Sequence, residues 1–188
     1  MTILHAQPFA YFLTFRTYAT YLHGDERTTV NPRRNQYSTL KLKCNPKLHQ
    51  AMELKCSETP LILSLPQCYT VLNSLRKTAD YFCWEVFAAH VRTNHVHIIL
   101  HANISKEKTM MKLKAYATQA LKKEHNALAD RKNFWTKHGS TRNIWSAEKA
   151  FPALYYVVEQ QGASMALYYN EAMYEAYDPK LYRLLYEL

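Results

Sequence analysis

Two apolar runs joined by three polar residues constrain the fold of this 188-residue chain more than any other feature. The runs are residues 81–91 and 95–101, and both are rich in the β-branched and aromatic side chains that favour strands. The polar link ends in Asn94, a residue type that tolerates the left-handed backbone conformation of tight turns. The pattern predicts an antiparallel β-hairpin.

Helix and strand patterns alternate on either side of this hairpin. Strands are predicted over residues 9–16 and 141–145, and apolar residues at helical spacing predict helices over residues 65–78 and 105–126. The resulting order is β-α-β-β-α-β, which is the order of the ferredoxin-like split βαβ fold. We therefore expect an α+β fold with an antiparallel sheet.

One more helix is predicted beyond this core. Ser146 is of a residue type that caps helix N-termini, and Gly162 is expected to end the helix. Pro152 lacks a backbone N–H, so we expect it in the first turn or at a kink.

The chain is long enough for one sizeable core and short for two. Residues 1–162 are expected to form the main domain, in which residues 17–66 are loops and short elements of unclear pattern. Residues 163–188 are a tyrosine-rich, acidic C-terminal extension, for which we expect helical structure around Pro179.

Composition excludes several classes of protein. Only three residues are glycine, which is too few for a glycine-rich phosphate loop, so no nucleotide cofactor is expected. The four cysteines contain no C-x-x-C pair, and we interpret them as reduced and structural. The longest early apolar run, residues 9–15, is too short to span a membrane. These features predict a cytoplasmic protein with no membrane partner.

Positive charge is concentrated in the middle of the chain. The formal charge is +9, and it divides into +5 over residues 1–94, +7 over residues 95–150 and −3 over residues 151–188. A basic segment of this size indicates a surface that binds a polyanion, most simply nucleic acid.

His95 and His97 form the sharpest local motif. Alternate residues of a strand point to one face, so the two imidazoles are expected about 7 Å apart along the strand, where both can bind one divalent ion. On its own the pair is also consistent with two half-exposed histidines that bind nothing. His90 and His101 are either orienting partners for a metal ligand or ordinary strand histidines.

Tyr156 and Gln160 are four residues apart on the predicted final helix. A step of 100° per residue directs Leu154 and Val157 to one side of this helix, and Tyr156 and Gln160 to the other. A tyrosine on the polar face is unusual, although the chain has 15 tyrosines and position alone does not assign it a role.

These motifs together resemble the HUH single-strand transposases of bacterial insertion sequences and their relatives, the REP-associated tyrosine transposases. The resemblance covers residues 81–101 and 134–162, where Asn94 precedes the His-x-His pair and Tyr156-x-x-x-Gln160 follows a strand that ends in tryptophan. It implies that His95, His97 and Gln160 bind a divalent ion and that Tyr156 is the nucleophile.

The implied activity is nicking and joining of single-stranded DNA in DNA transposition. Tyrosine attack would leave a 5′-phosphotyrosine and a free 3′-hydroxyl, and the linkage would conserve the bond energy for rejoining. Mg²⁺ or Mn²⁺ suits such a site better than zinc, because open positions must hold phosphate and water. The resemblance also implies hairpin-forming DNA as substrate and a homodimer.

DNA contacts are expected from the basic residues of the middle segment, with Trp135, Trp145 or Tyr116 as possible stacking surfaces for unpaired bases. For the two tryptophans, packing in the core is the favoured explanation. The basic candidates are Lys112, Lys114, Lys122, Lys123, Arg131, Lys132 and Arg142.

Two alternatives stay open at the level of sequence. Tyr116 is a rival nucleophile on the basic helix, although the residue four positions later, Ala120, cannot bind metal. The protein could also be a domesticated, non-catalytic protein that binds DNA hairpins on the same fold. Binding alone requires neither the histidine pair nor Tyr156.

Overall fold

A five-stranded antiparallel sheet organises the computed structural model, which describes residues 7–25 and 44–176. The spatial order of the strands is β4-β1-β3-β2-β5, so the sequence-adjacent β2 and β3 pair at its centre and β4 and β5 form its edges. In chain order the strands are β1 Ala10–Arg16, β2 Glu85–Val91, β3 His95–His101, β4 Ser140–Ile144 and β5 Ala166–Tyr169.

Five α-helices accompany the sheet in the part of the chain that the structure describes. Asn45, Ser105, Ser146 and Asn170 each accept a backbone N–H with the side chain at a helix N-terminus, as capping residues do. The helices are α1 Pro46–Glu53, α2 Leu65–Tyr81, α3 Lys106–Glu124, α4 Ala147–Val158 and α5 Glu171–Glu175.

The first four strands with α2 and α3 have the topology of a split βαβ fold, so the predicted fold class is confirmed. Strand β1 pairs with β3 with Thr14 opposite His97 and Arg16 opposite His95. The same strand pairs with β4 with Phe12 opposite Arg142. These registers fix which residues of the three strands are neighbours.

Each face of the sheet packs against different helices. Leu13 and Phe15 of β1 lie in a core with Leu72 of α2 and Leu113 of α3. Phe12, which follows the opposite parity, lies in a second core with Leu154 of α4. The two crossover helices therefore share one face, and α4 covers part of the other.

The structure differs from the sequence-based elements in three places. Tyr81 is the last residue of α2, and a turn with Cys83 at φ 55° separates it from β2, so the predicted strand over 81–91 begins at Glu85. Pro152 lies inside α4, which excludes the first turn, one of its two expected positions, and leaves the kink untested. The C-terminal extension contributes strand β5, which the sequence does not predict and which pairs with β2.

The structure of Pro179 lies outside the described residues, as does much of the segment 17–66. Within the described ranges, no helix has the length and apolar composition that crossing a membrane requires.

Candidate active site

His95 and His97 lie side by side on β3, on the sheet face that α4 covers. Their ring centroids are 4.8 Å apart, and His97 is the more buried of the two. Within residues 7–25 and 44–176, no three His, Cys, Asp or Glu side chains cluster in a way that would hold a metal. Among the described residues, a third protein ligand for an ion at this pair would be of another residue type.

Each imidazole is held through its Nδ1 atom by a neighbouring side chain. Nδ1 of His95 lies 2.7 Å from the Asn94 side-chain oxygen, which can only accept, so this nitrogen donates and carries the proton. Nδ1 of His97 lies 2.8 Å from the hydroxyl of Thr14 on the adjacent strand, and a hydroxyl can accept the same kind of bond. Both contacts orient the rings so that Nε2 is available for a ligand.

Both imidazoles are neutral at physiological pH. Burial lowers the pKa of His95 to about 4, with the nearby Arg16 as the next cause. Burial likewise lowers the pKa of His97 to about 3, with His95 as the next cause. A neutral imidazole has the free lone pair that metal binding requires.

Tyr156 of α4 lies next to the histidine pair, on the same face of the sheet. Its ring packs edge-on against the His97 ring at a centroid distance of 5.4 Å and against Phe12 at 6.1 Å. The side chain is 39% exposed, because one edge of the ring remains open to solvent. The predicted nucleophile and the histidine pair are thus neighbours within a single chain.

The two glutamines after Tyr156 occupy different positions. Helix α4 ends at Val158, but the Gln160 N–H still donates to the Tyr156 carbonyl at 3.3 Å, so the four-residue helical spacing extends to Gln160. Gln160 lines the cleft beside Tyr156. The side chain of Gln161 donates from Nε2 to the Tyr156 carbonyl at 3.1 Å and lies near both imidazoles, whose pKa values it acts to raise.

The structure therefore brings two amides close to the histidine pair. Gln160, the glutamine that the motif indicates, lies in the cleft wall with His97 and Tyr156, and Gln161 follows it directly.

His90 fixes the end of the helix that carries Tyr156. Its side chain is fully buried on β2, opposite His97 in the sheet register. Nδ1 lies 3.1 Å from the Val157 carbonyl and donates to it, which leaves Nε2 to accept the backbone N–H of Met165 at 3.3 Å. His101 bonds to the Phe9 carbonyl at the other end of β3, away from this helix end.

A cleft of about 750 Å³ opens beside these residues, between β1, β4 and α4. His97, Tyr156 and Gln160 lie on its wall, and no carboxylate does. The remaining charged residues of the wall are all cationic: Arg16, Arg142 and Lys149.

Of the seven basic residues that the sequence predicts as DNA contacts, Arg142 alone lines this cleft. Lys112, Lys114, Lys122 and Lys123 belong to α3, which packs on the opposite face of the sheet. The structure therefore separates most of the predicted DNA-binding residues from the histidine pair.

Two of the predicted contacts are engaged inside the protein. Lys114 donates to the carbonyls of Thr136 at 2.9 Å and His138 at 3.3 Å, and burial lowers its pKa to about 8. The Arg131 side chain bonds the carbonyls of Asn133 and Thr59. Neither group is presented to a ligand in this arrangement.

The other aromatic candidates separate clearly. Tyr116 of α3 packs against Phe82 and Tyr81 on the far face of the sheet, so it is not brought to the histidines. Trp135 packs edge-on against Phe15 and donates to the Thr118 hydroxyl, as a core residue does. Trp145 is 54% exposed and directly follows β4.

Comparison with known proteins finds one matching family model. Residues 66–147 match the family model described as IS200-like transposase, which confirms the resemblance over that segment. The segment contains both histidines of the pair and ends before Tyr156. No curated protein is significantly similar to the chain in sequence.

Two solved structures are similar to the chain at low sequence identity. A REP-associated tyrosine transposase bound to a REP hairpin is 12% identical with a TM-score of 0.43, over 84% of this chain and 70% of that one. A candidate transposase from Deinococcus radiodurans R1 is 14% identical with a TM-score of 0.43, over 87% of this chain and 98% of that one.

Proposed function

We propose that this chain, whose residues 66–147 match the family model described as IS200-like transposase, is a metal-dependent single-strand DNA transposase that acts through a covalent bond to Tyr156. The observation that carries the proposal is the edge-on contact between Tyr156 and His97 at 5.4 Å, on the wall of a cleft whose other charged residues are all cationic. A nucleophile beside neutral imidazoles, in a cleft without carboxylates, suits an anionic phosphodiester.

The donor set fits Mg²⁺ or Mn²⁺. His95, His97 and the amide oxygen of Gln161 would hold the ion, with Gln160 of the expected motif beside them in the cleft. Three neutral ligands leave the charge of the ion undiminished and leave positions for phosphate and water. When bound, the ion would withdraw charge from the phosphate oxygens and stabilise the transition state.

The residues of the chain account for the covalent step. Phe12 and His97 hold the Tyr156 ring, so that its hydroxyl is positioned rather than freely rotating. The phenolic oxygen forms a bond to phosphorus as it gives its proton to solvent. The bond from phosphorus to the 3′ oxygen breaks, and that oxygen takes up a proton. Attack by another 3′-hydroxyl reverses the step and joins strands, with no nucleotide cofactor.

The substrate that we propose is hairpin-forming single-stranded DNA, as the resemblance implies, with DNA transposition as the process. A homodimer is also implied by the resemblance. Since Tyr156, His97 and Gln161 come from one chain, a dimer would serve to bring two sites together rather than to complete either of them. Light scattering on the purified protein with and without hairpin DNA measures the association.

Formation of a covalent adduct tests the function. The protein is incubated with Mn²⁺ and an end-labelled single strand that carries a hairpin, and the product is resolved on a denaturing gel. We expect an adduct with the native protein, none with Tyr156→Phe, and an undiminished one with Tyr116→Phe, which removes a hydroxyl on the opposite face of the sheet. An adduct that survives Tyr156→Phe contradicts the assignment of the nucleophile.

Metal dependence is tested in the same assay. Addition of EDTA is expected to abolish the adduct, and restored Mn²⁺ to recover it. Hairpin binding without an adduct under every metal condition would favour the non-catalytic binding protein instead.

A further inference from the structure

The cationic wall of the cleft continues from Tyr156 toward the edge of the sheet. Arg142 lies directly opposite Phe12 in the β1–β4 register, and the Phe12 ring contacts both His97 and Tyr156. The side chain of Phe12 thus lies between the Arg142 position and Tyr156, the proposed nucleophile. Arginine binds phosphate through two parallel N–H donors, which suits it to a position beside a reacting phosphodiester.

Lys149 faces Arg142 across the cleft from the first turn of α4. A cation at a helix N-terminus is opposed by the helix dipole, so this lysine does not stabilise its own helix. The carboxylate in the same turn, Glu148, is engaged with the capping residue Ser146 and is not part of the cleft wall. An unfavourable lysine that lines a cleft indicates an anionic ligand there.

Strand β4 borders the cleft and is an edge of the sheet, since it pairs with β1 alone. Trp145 follows its last residue and is 54% exposed, while the link to α4 ends at the cap Ser146. The other two tryptophans, Trp84 and Trp135, donate their ring N–H to partners within the fold. Trp145 directly follows Ile144, which lines the cleft together with Arg142 and Lys149. An exposed indole beside cations is the combination that binds unpaired bases and their phosphates.

We infer that the groove between β4 and α4 binds a single DNA strand that leads to Tyr156, with Arg142 and Lys149 on successive phosphates and Trp145 stacked on a base. This inference rests on the proposed function, and it gives the cleft, rather than the basic helix α3, the role of strand binding. A volume of about 750 Å³ fits part of one strand and is far too small for a duplex. The positive charge of Arg142 and Lys149 favours a polyanion, and the exposed ring of Trp145 favours unpaired bases.

Equilibrium binding in the absence of chemistry tests the inference. Fluorescence anisotropy is measured with a labelled, unstructured single strand, with the Tyr156→Phe protein in EDTA. We expect Arg142→Ala with Lys149→Ala to weaken binding about tenfold or more. The salt dependence should also fall, by roughly 0.7 in log-log slope for each lost phosphate contact.

The matched control removes two charges from the other face of the sheet. Lys112→Ala with Lys123→Ala changes the net charge by the same amount on α3. We expect this pair to change the affinity for the unstructured strand by less than twofold. A loss of affinity in the α3 pair that equals or exceeds the loss in the cleft pair would overturn the inference.

Trp145 provides an independent readout. Since Trp84 is buried and Trp135 is partly buried against the core, quenching of tryptophan fluorescence by the DNA should come mainly from Trp145. Trp145→Phe is expected to lose the quenching and retain most of the affinity, and Trp145→Ala to lose about tenfold in affinity. Quenching that persists in Trp145→Phe would contradict the stacking.

These outcomes are separable from those of the proposed function. If the native protein forms the adduct and the cleft variants bind the strand normally, the strand lies elsewhere and the function stands. If no adduct forms but the cleft variants lose binding, the groove is a single-strand site on a protein without the proposed chemistry.

Discussion

The hydroxyl oxygen of Thr14 lies 2.8 Å from Nδ1 of His97, across the pairing of β1 with β3. It is one of two contacts, with that of Asn94 to His95, that set the orientation of the imidazoles without contacting a ligand. Partners of this kind typically change metal affinity by about 10- to 100-fold when they are removed. The arrangement depends on strand register, because a shift of one residue would turn Thr14 to the other face.

Substitution Thr14→Val should weaken Mn²⁺ binding by at least about tenfold, because the nearly isosteric side chain cannot accept the Nδ1–H of His97. Isothermal titration calorimetry measures the affinity directly. Thr14→Ser retains the hydroxyl and should bind Mn²⁺ nearly as well as the native protein. Equal loss in both variants would mean that packing, rather than the hydrogen bond, is responsible.

Gln161→Ala should reduce Mn²⁺ affinity more than Gln160→Ala. The reason is that the Gln161 side chain lies near both imidazoles, whereas Gln160 faces the cleft beside Tyr156. Electron paramagnetic resonance of Mn²⁺ reports free and bound ion independently of any DNA reaction. A greater loss in Gln160→Ala would show that the Tyr156-x-x-x-Gln160 spacing identifies the metal ligand correctly. It would also imply that the end of α4 rearranges on metal binding.

The histidine face and the hairpin could be predicted from sequence because a strand has a strict period of two. Once His95 and His97 are on one strand, their shared face follows without knowledge of the rest of the fold. Thr14 shares that face only through the β1–β3 register, and long-range register is not encoded in any local pattern. The family model covers the hairpin and ends before Tyr156. Tyr156 is included in the candidate site because of the Tyr156-x-x-x-Gln160 motif and the contact between its ring and that of His97.

The residues of the cleft wall are harder to predict because charge along the chain does not show which face of the sheet a helix covers. The crossover topology puts α2 and α3 together on one face, and α4, which follows the last strand of the split βαβ unit, covers the other. The lysines of α3 are therefore close to His97 in sequence and separated from it by the sheet. Lys149, the cation of α4 that lines the cleft, did not stand out among 24 basic residues.

Stability should fall on acidification partly because His97 resists protonation. Burial lowers its pKa from 6.5 to about 3, so between these values the unfolded chain takes up a proton that the folded chain does not. This contribution to stability is complete above pH 6.5 and is lost as the pH falls. From pH 7 to pH 5 the loss from a histidine that stays neutral is about 2 kcal/mol at most.

The variant His97→Gln isolates this effect, because its side chain does not titrate. Urea unfolding in EDTA at pH 7 and pH 5 should give a smaller decrease in the free energy of unfolding than for the native protein. Parallel decreases in the two proteins would show that His97 is protonated in the folded state at pH 5.

His90 should matter for both stability and catalysis, because it connects β2 to the last turn of the helix that carries Tyr156. Substitution His90→Leu leaves the Val157 carbonyl and the Met165 N–H without their partner in a buried site, at a cost of about 2–4 kcal/mol. It also frees the end of α4, so we expect adduct formation to fall further than the folded fraction.

His101→Leu is the matched control: it removes a single bond, to the Phe9 carbonyl at the far end of β3, and should cost about 1 kcal/mol with adduct formation retained. Urea unfolding measures the stability of both variants, and the denaturing gel measures their adducts under conditions in which each is fully folded. If His90→Leu forms the adduct as fast as His101→Leu under those conditions, His90 stabilises the fold without positioning Tyr156.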